Sequence, residues 1–443
     1  MSKILLIGRG PLPSPEAPQL GFSQLRTRAF HRALVDAGHD VRLLLLVKED
    51  TQPDVPRVWN KEISIQEDGP NWVTQARLLK DGADIIVSAG PYNPGRLATA
   101  IADDEPLWID IPGDPLAELS ALSLAQATPL GDTEIAAAYS GAVQALSRAD
   151  AVSVISRPQL HATWGQLGLL GRLLRAEATP TAHVLPITHD WSLPEGMPRA
   201  PGAGEDTVLA LSGAFNPWFD ADGLMVALDI AFKARPDLRV ICTGGGIPGF
   251  FEASYKRFSE WSVQYADRIR LHGWLPHHKM AEVLKGAHAG ISIDCAGVEP
   301  ELGSRTRLLL FAHLGLQCVS TVRCELSQNW ADKGALHALH PEDPVQIGHQ
   351  LATFQIDTHV GRKAQQLARS EFHPTKVMEP LLQWCSAPVR TKSVRPTQAI
   401  MAAELEANRE ELSRVYSSST WQALNRVHTF GTAAIERLKD RSG

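Results

Sequence analysis

Short apolar runs alternate with helical stripes through the first 190 residues. Ile4–Ile7 and Val41–Val47 are apolar runs of strand length. Between them Phe30 and Leu34 lie at helical spacing, and Gly38 can end that helix. Three more apolar runs of the same kind follow: Ile85–Val87, Leu107–Ile109 and Val152–Ile155. Continuous apolar strands that alternate with helices predict a parallel sheet covered on both faces.

The alternation stops at residues 191–206, which carry three Pro and three Gly and show no periodicity. It then restarts with five strand-sized runs: Val208–Leu211, Val240–Thr243, Ile269–Leu271, Gly290–Ile293 and Cys318–Thr321. Helical patterns separate them, at about 221–233 and 305–314. We therefore predict an α/β chain of two Rossmann-like, doubly wound parallel-sheet domains, 1–190 and 207–385, which face a cleft and are joined by the linker 191–206.

The C-terminal segment has no strand pattern. Residues 386–396 predict a second, basic linker, and residues 397–443 a helical tail. Met401, Leu405, Leu412 and Val415 form one apolar stripe of that tail, and a second stripe begins at Trp421. The tail could form a coiled pair, dock on the domains, or lie on an anionic membrane through Trp421 and the nearby basic residues. Because the apolar face is short, a coiled pair or docking on the domains is favoured over a membrane surface.

Composition narrows the class of protein. The chain has 443 residues with 49 acidic and 43 basic side chains, a net charge of −6. That balance argues against a nucleic-acid partner, and no apolar run approaches the roughly 20 residues that span a bilayer. The chain enters a strand at its start, so we expect no signal peptide. Five scattered Cys predict neither a zinc site nor a disulfide framework, and they favour a cytoplasmic location.

The sharpest candidate site lies in the loop 294–307, between a strand end and a helix start. Ser304 can cap that helix, and Arg305, Thr306 and Arg307 follow it. Arginine forks match phosphate oxygens, and a helix N-terminus favours an anion. Glu299 and Glu301 can accept hydrogen bonds from sugar or ribose hydroxyls. The loop therefore predicts a site for a sugar nucleotide, with a surface salt-bridge cluster as the alternative.

Other strand-end loops are candidates because ligands of open parallel sheets bind beyond the carboxyl ends of strands. We predict donor-binding roles for three pairs: Ser212-Gly213, Gly244-Gly245 and Gly273-Trp274. Flexible turns are the alternative. The loop after the first strand lacks the third Gly of a dinucleotide fingerprint. It runs on to Gly21 and Phe22, which we expect to shape the acceptor side of the cleft, unless it is a Pro-rich surface loop.

These residues carry a resemblance to GT-B glycosyltransferases similar to family four. The opening Lys3–Ile7, the helix ending Leu34–Val41, and Gly315–Thr321 resemble the motifs of that family. The "RTR" helix start at 305–307 and the segment Asp110-Ile111-Pro112-Gly113-Asp114-Pro115 resemble the "RTR" helix start and the "D-x-x-D-P" segment of a bacterial subgroup. The resemblance covers roughly residues 1–385.

The chain departs from the family at two places. Leu302 and Leu310 stand where family four usually carries two Glu. The usual Arg/Lys pair after the first strand of the second domain is missing, and Phe215 and Trp218 lie in that stretch instead. The resemblance then implies that the 305–307 arginines hold the diphosphate.

The resemblance implies a glycosyltransferase that uses a nucleotide-diphosphate sugar and no cofactor or metal, with a glycan or lipid-linked acceptor, in surface polysaccharide synthesis. A peripheral location at the inner face of the membrane would fit such an acceptor. Asp103-Asp104-Glu105 precedes a strand and is therefore a poor metal site. An inverting reaction would need a base, for which Asp110 and Asp114 are the candidates; turn formation is their alternative role.

Two other hypotheses stay open. The missing Glu and Lys positions favour a catalytically inactive GT-B-like binding or assembly subunit that acts through its tail. A sugar epimerase of the same shape is less favoured, since it needs more carboxylates around the donor.

Overall fold

Two parallel sheets, each wrapped by helices, make up the body of the protein. The computed structural model describes residues 1–12, 21–48, 61–69, 71–126, 129–173, 176–188, 193–339, 343–392 and 398–424. The two-domain α/β architecture predicted from the alternation is confirmed.

The first sheet has seven parallel strands in the order β3-β2-β1-β4-β5-β6-β7. Its strands are β1 (Lys3–Arg9), β2 (Asp40–Val47), β3 (Glu62–Gln66), β4 (Ile85–Ser88), β5 (Leu107–Ile111), β6 (Ala151–Val154) and β7 (Thr181–Val184). Its helices are α1 (Phe22–Asp36), α2 (Trp72–Leu79), α3 (Asn93–Ile101), α4 (Pro115–Ala125), α5 (Asp132–Arg148) and α6 (Arg157–Leu169), followed by a 3-10 turn at Ala176–Ala178. The short strands β3 and β7 were not predicted, because neither is a continuous apolar run.

The second sheet has six parallel strands in the order β10-β9-β8-β11-β12-β13. Its strands are β8 (Thr207–Ala214), β9 (Leu238–Gly245), β10 (Ile269–Leu271), β11 (Ala289–Ser292), β12 (Gln317–Thr321) and β13 (His337–Leu339). The helices from here on are α7 (Ala221–Ala234), α8 (Ala253–Ser262), α9 (His277–Leu284), α10 (Val298–Leu302), α11 (Thr306–His313), α12 (Glu325–Asp332), α13 (Pro344–Thr353), α14 (Thr358–Glu371), α15 (Pro374–Val377), α16 (Glu379–Ser386) and α17 (Gln398–Ser417), with a 3-10 turn at Val263–Tyr265.

Helices α15 and α16, which follow the second sheet in the chain, pack on the first sheet. Met378, Leu381 and Trp384 of α15–α16 join the buried cluster formed by β1, β2 and α1. The ring of Trp384 meets the edge of Trp108 on β5 at 5.5 Å between centroids. These apolar side chains cover a face of the first sheet, although the sequence pattern placed them in the second domain. The boundaries at 190, 207 and 385 stay predictions.

The described part of the tail, α17, lies against α5 of the first domain. Arg414 Nη2 donates to Thr133 Oγ1 at 3.0 Å. Leu412 and Val415 remain about half exposed on α17. Most of the second stripe, after Leu424, lies outside the described residues.

A buried ion pair fixes α1 to the carboxyl end of β5. Asp110 accepts from Arg26 Nη2 at 2.8 Å and from Arg26 Nε at 2.9 Å. Ser153 Oγ donates to the same carboxylate at 2.6 Å, and Arg26 Nη1 donates to the Pro186 carbonyl. Neither charged side chain is exposed to solvent. A charge pair held this way depends on both partners, because either one alone would be buried without compensation.

We predict that Asp110→Ala lowers the free energy of unfolding by about 3–5 kcal/mol, since it leaves Arg26 buried and unpaired. Urea denaturation measures the change. Asp222→Ala is the control, because its ion pair with Arg257 lies on the surface and should contribute less than about 1 kcal/mol. Equal losses for the two variants would contradict this reading of Asp110.

Candidate donor-binding cleft

A cavity of about 460 Å³ lies between the two domains, and both line it. The first domain contributes the loop at Gly21 and Phe22, together with Tyr92 and Glu118. The second domain contributes the ends of β8 and β9 and the segment from Ser304 to Arg307. The cavity thus lies where the carboxyl ends of the second sheet meet the first domain, which is where ligands of such sheets bind.

The predicted donor-binding residues divide into two groups. Those that line the cavity are Ser212, Gly213, Gly244, Trp274, Glu299, Ser304, Arg305, Thr306 and Arg307. Gly245, Gly273 and Glu301 lie outside its lining. Gly245 lies beneath the ring of Tyr255, and Glu301 is exposed on α10. The roles predicted for all twelve stay predictions.

Two glycines leave the main chain uncovered at the carboxyl ends of two neighbouring strands of the second sheet. We call this pair the glycine ledge. Gly213 and Gly244 are register partners in β8 and β9, with φ of 91° and 94°. A Cβ on Gly244 would lie 2.3 Å from the Gly213 carbonyl oxygen. Only glycine fits there, since side chains are disfavoured at positive φ and this one would also collide with backbone. The ledge lets a ligand approach the main chain closely.

Arg305 is the centre of a buried ion triad. Its Nε donates to Asp294 at 2.7 Å and its Nη2 to Glu299 at 3.0 Å. All three side chains are 5% exposed or less. The two carboxylates raise the pKa of Arg305, against the opposing effect of burial. The triad ties the end of β11 to α10 and to the start of α11.

Arg307 is the more available cation of the pair. Its Nη2 donates to the Ala214 carbonyl at 2.8 Å, and its guanidinium lies 4.8 Å from the centre of the Phe219 ring. Burial lowers the pKa of Arg307 to about 10, so it remains charged at neutral pH. Its half-buried fork stands beside the glycine ledge and has no acidic hydrogen-bond partner among the residues that the structure describes.

The helix start differs from the expectation at Ser304. Helix α11 begins at Thr306, its N-cap is Arg305, and none of the described side chains caps it. The expected cap at Ser304 is therefore wrong. The short helix α10 ends at Leu302, three residues separate it from α11, and α11 starts one residue later than expected. Ser304 lines the cavity instead, and its carbonyl accepts from Arg305 Nη1 at 3.0 Å.

Trp274 is fixed at the side of the cavity by its indole, which donates to the Gly246 carbonyl at 2.9 Å. That bond connects the loop after β10 to the loop after β9. The flat ring and the adjacent Leu275 both line the cavity. They form an apolar wall next to the ledge.

The two predicted catalytic carboxylates lie outside the cavity lining. Asp110 is enclosed by Arg26 and Ser153, as described above. Asp114 is the N-cap of α4, where it accepts from the Leu116 and Ala117 amides, and Gln166 Nε2 donates to its other oxygen at 2.7 Å. Both carboxylates are occupied by structural partners, so the geometry gives neither the access that a general base needs.

A carboxylate that sequence reasoning missed does line the cavity: Glu118 on the first turn of α4. Burial raises its pKa to about 7, against the hydrogen bond with Tyr92, which lowers it. The signal was its spacing, because position i+4 from Asp114 lies on the same side of a helix.

Two features are absent from the described parts of the chain, a metal-binding cluster and a membrane-spanning helix. No group of three or more His, Cys, Asp or Glu among these residues is arranged to hold a metal ion. Nor does any helix among them have the length and apolarity to cross a membrane. Metal independence and the location stay predictions.

The chain matches no protein-family model and no curated protein sequence. It does resemble solved structures. Sucrose-phosphate synthase from Thermosynechococcus elongatus superposes with a TM-score of 0.63 at 17% identity, covering 88% of this chain and 100% of that one. Anabaena HepE, solved with UDP and glucose, gives 0.63 at 14% identity over 87% and 100%. A trehalose-6-phosphate synthase, OtsA, gives 0.62 at 10% identity over 88% and 100%.

These neighbours are GT-B glycosyltransferases, and the likeness extends over both domains. The protein has the GT-B fold: two Rossmann-like domains that face a cleft, with a helical C-terminal region. At such low identity the likeness defines the fold and leaves the activity to be argued from the cleft itself.

We predict that Arg305→Ala lowers stability by about 3–5 kcal/mol, because Asp294 and Glu299 would remain buried without their cation. Thermal and urea unfolding measure the loss. Arg257→Ala is the control, since it removes an exposed arginine with a surface partner. A variant as stable as the wild type would show that the triad does not hold the cavity wall.

Proposed function

We propose that this protein is a glycosyltransferase that moves a sugar from a nucleoside-diphosphate donor to a glycan or lipid-linked acceptor. The observation that carries the proposal is the pairing of Arg307 with the ledge formed by Gly213 and Gly244. Together they offer a fixed cation and open backbone at the carboxyl edge of the second sheet. A diphosphate needs both of these features.

The chemistry of the cavity walls supports the orientation that we propose for the donor. The diphosphate lies against Arg307 and the start of α11, and the nucleoside lies along Trp274 and Leu275. Support comes from the structural neighbours, since HepE was solved with UDP-glucose and an E. coli structure with UDP-2-fluoro glucose. We extend a uridine nucleotide to this chain on that ground as the first donor to test.

Arg307 would stabilise the leaving diphosphate as its negative charge develops, which is the largest electrostatic demand of the reaction. We propose a metal-independent reaction because a guanidinium meets the phosphates directly. Arg305 acts on this step through position only, since its donors are engaged by Asp294 and Glu299.

We also propose that the chain belongs with family four and with the "RTR" subgroup. Its proposed role is in surface polysaccharide synthesis. A peripheral membrane location through the tail belongs to the proposal as well.

A second function, an inactive binding or assembly subunit, is favoured by one observation. Leu310 lines the cavity at the position where the family resemblance places a carboxylate. The exposed Leu412 and Trp421 of the tail would then form the surface that binds a partner. Hydrolysis of a sugar nucleotide in the absence of acceptor separates the two functions, because only an enzyme would turn over.

We predict that UDP or another nucleoside diphosphate stabilises the protein, and that Arg307→Ala weakens its binding about tenfold or more. The reason is that a hydrogen bond to a charged group contributes about 1.5–3 kcal/mol. Calorimetric titration measures the affinity. Arg257→Ala, at an exposed arginine outside the cavity lining, should bind like the wild type. Binding that is unaffected by Arg307→Ala, or no binding of any nucleoside diphosphate, would contradict the proposal.

A further inference from the structure

One loop of the cavity wall carries an exposed aromatic ring. Phe250 lies in the loop between β9 and α8, lines the cavity, and is half exposed. Its neighbour Phe251 is buried, with 4% exposure. Two adjacent phenylalanines of one short loop therefore have different environments, one inside the protein and one at the cavity.

The backbone of this loop is closed on itself. The Ile247 amide donates to the Phe251 carbonyl at 2.8 Å, and the Phe251 amide donates to the Ile247 carbonyl at 3.0 Å. The Gly249 amide donates to Glu252 Oε1 at 3.1 Å, and Gly249 has a φ of 70°, which glycine adopts without strain. These bonds and the buried Phe251 fix the loop, and the loop holds the Phe250 ring at the cavity.

The same loop meets the apolar wall of the second domain. The Trp274 indole donates to the Gly246 carbonyl at 2.9 Å, at the first residue of the loop. Ile247, Leu275 and Trp274 line the cavity together with Phe250. Two aromatic rings from two loops thus belong to one apolar corner of the cavity.

This apolar corner and the proposed diphosphate contact both border the glycine ledge. The Gly244 amide donates to the carbonyl of Gly273, the residue before Trp274, at 2.7 Å. Arg307 Nη2 donates to the carbonyl of Ala214, which follows the ledge in β8, at 2.8 Å. A nucleoside diphosphate has a charged end and a flat ring, and this wall offers a cation for the first and aromatic faces for the second.

We propose that the Phe250 ring stacks on the nucleobase of the donor. With Trp274 it forms an aromatic subsite that distinguishes a nucleotide from a free diphosphate. Every nucleobase presents a flat π-face, and an aromatic side chain gains both buried area and ring contact by stacking on it. The exposed half of the Phe250 side chain is the area that the base covers. The inference rests on the proposed function, in which the diphosphate lies against Arg307.

The test compares a nucleotide with a ligand that has no base. Calorimetric titration gives the affinities of UDP and of inorganic pyrophosphate for the wild type and for Phe250→Ala. We expect Phe250→Ala to weaken UDP binding about tenfold, the usual effect of losing one stacked ring, and to leave pyrophosphate binding within twofold. Phe250→Tyr keeps a ring and should bind UDP like the wild type. GDP, ADP and dTDP are titrated in parallel, and the comparison uses the nucleotide that binds most tightly.

Two further variants serve as controls. Trp164→Ala removes an aromatic ring that is 43% exposed on α6, outside the cavity lining, and should bind both ligands like the wild type. Arg307→Ala removes the proposed diphosphate contact and should weaken UDP and pyrophosphate together. The affinity for the ligand without a base therefore separates the Phe250 variant from the Arg307 variant.

Three results would overturn the inference. Unchanged nucleotide affinity in Phe250→Ala would show that the base does not contact the ring. Equal losses for nucleotide and pyrophosphate would show that Phe250 acts only on the shape of the wall, and a loss in Phe250→Tyr as large as in Phe250→Ala would contradict stacking. Each of these leaves donor binding intact, whereas a protein that binds none of the four nucleotides would remove the proposed function itself.

Discussion

The cleft depends on one buried interaction, the contact of Arg305 with Asp294 and Glu299. Three charges are removed from water there, and each is compensated by a hydrogen-bonded partner. Such a triad is costly to break, and it fixes the end of β11, the short helix α10 and the start of α11 relative to one another. The position of Arg307, two residues further on, follows from that fixed start.

Because of the triad, two arginines of the same short motif have different roles. Arg305 is saturated by carboxylates and supports the wall. Within the described part of the chain, Arg307 contacts a carbonyl and an aromatic face and no carboxylate, so it keeps donors for a ligand. Helix α10 reaches across to the first domain, where Ser156 Oγ donates to the Leu302 carbonyl at 2.6 Å. The same segment therefore shapes the donor wall and brings the two domains together.

Much of the fold could be predicted because buried parallel strands are continuous apolar runs, as in β1 and β2. The ledge at Gly213 and Gly244 could be located because the apolar runs show where the strands end, and these glycines follow those runs closely. The partners of Arg305 and Asp110 could not, since they depend on tertiary contacts: Arg26 is 84 residues from Asp110. Glu118 was missed for a similar reason, because its place in the cavity lining depends on the packing of α4 against α10 of the second domain.

The most direct test is a crystal structure of the protein with UDP. The account predicts diphosphate oxygens within hydrogen-bond distance, about 3 Å, of Arg307, with Arg305 still bonded to Asp294 and Glu299. A nucleotide outside the cleft, or a diphosphate bound by Arg305 with the triad broken, would contradict it.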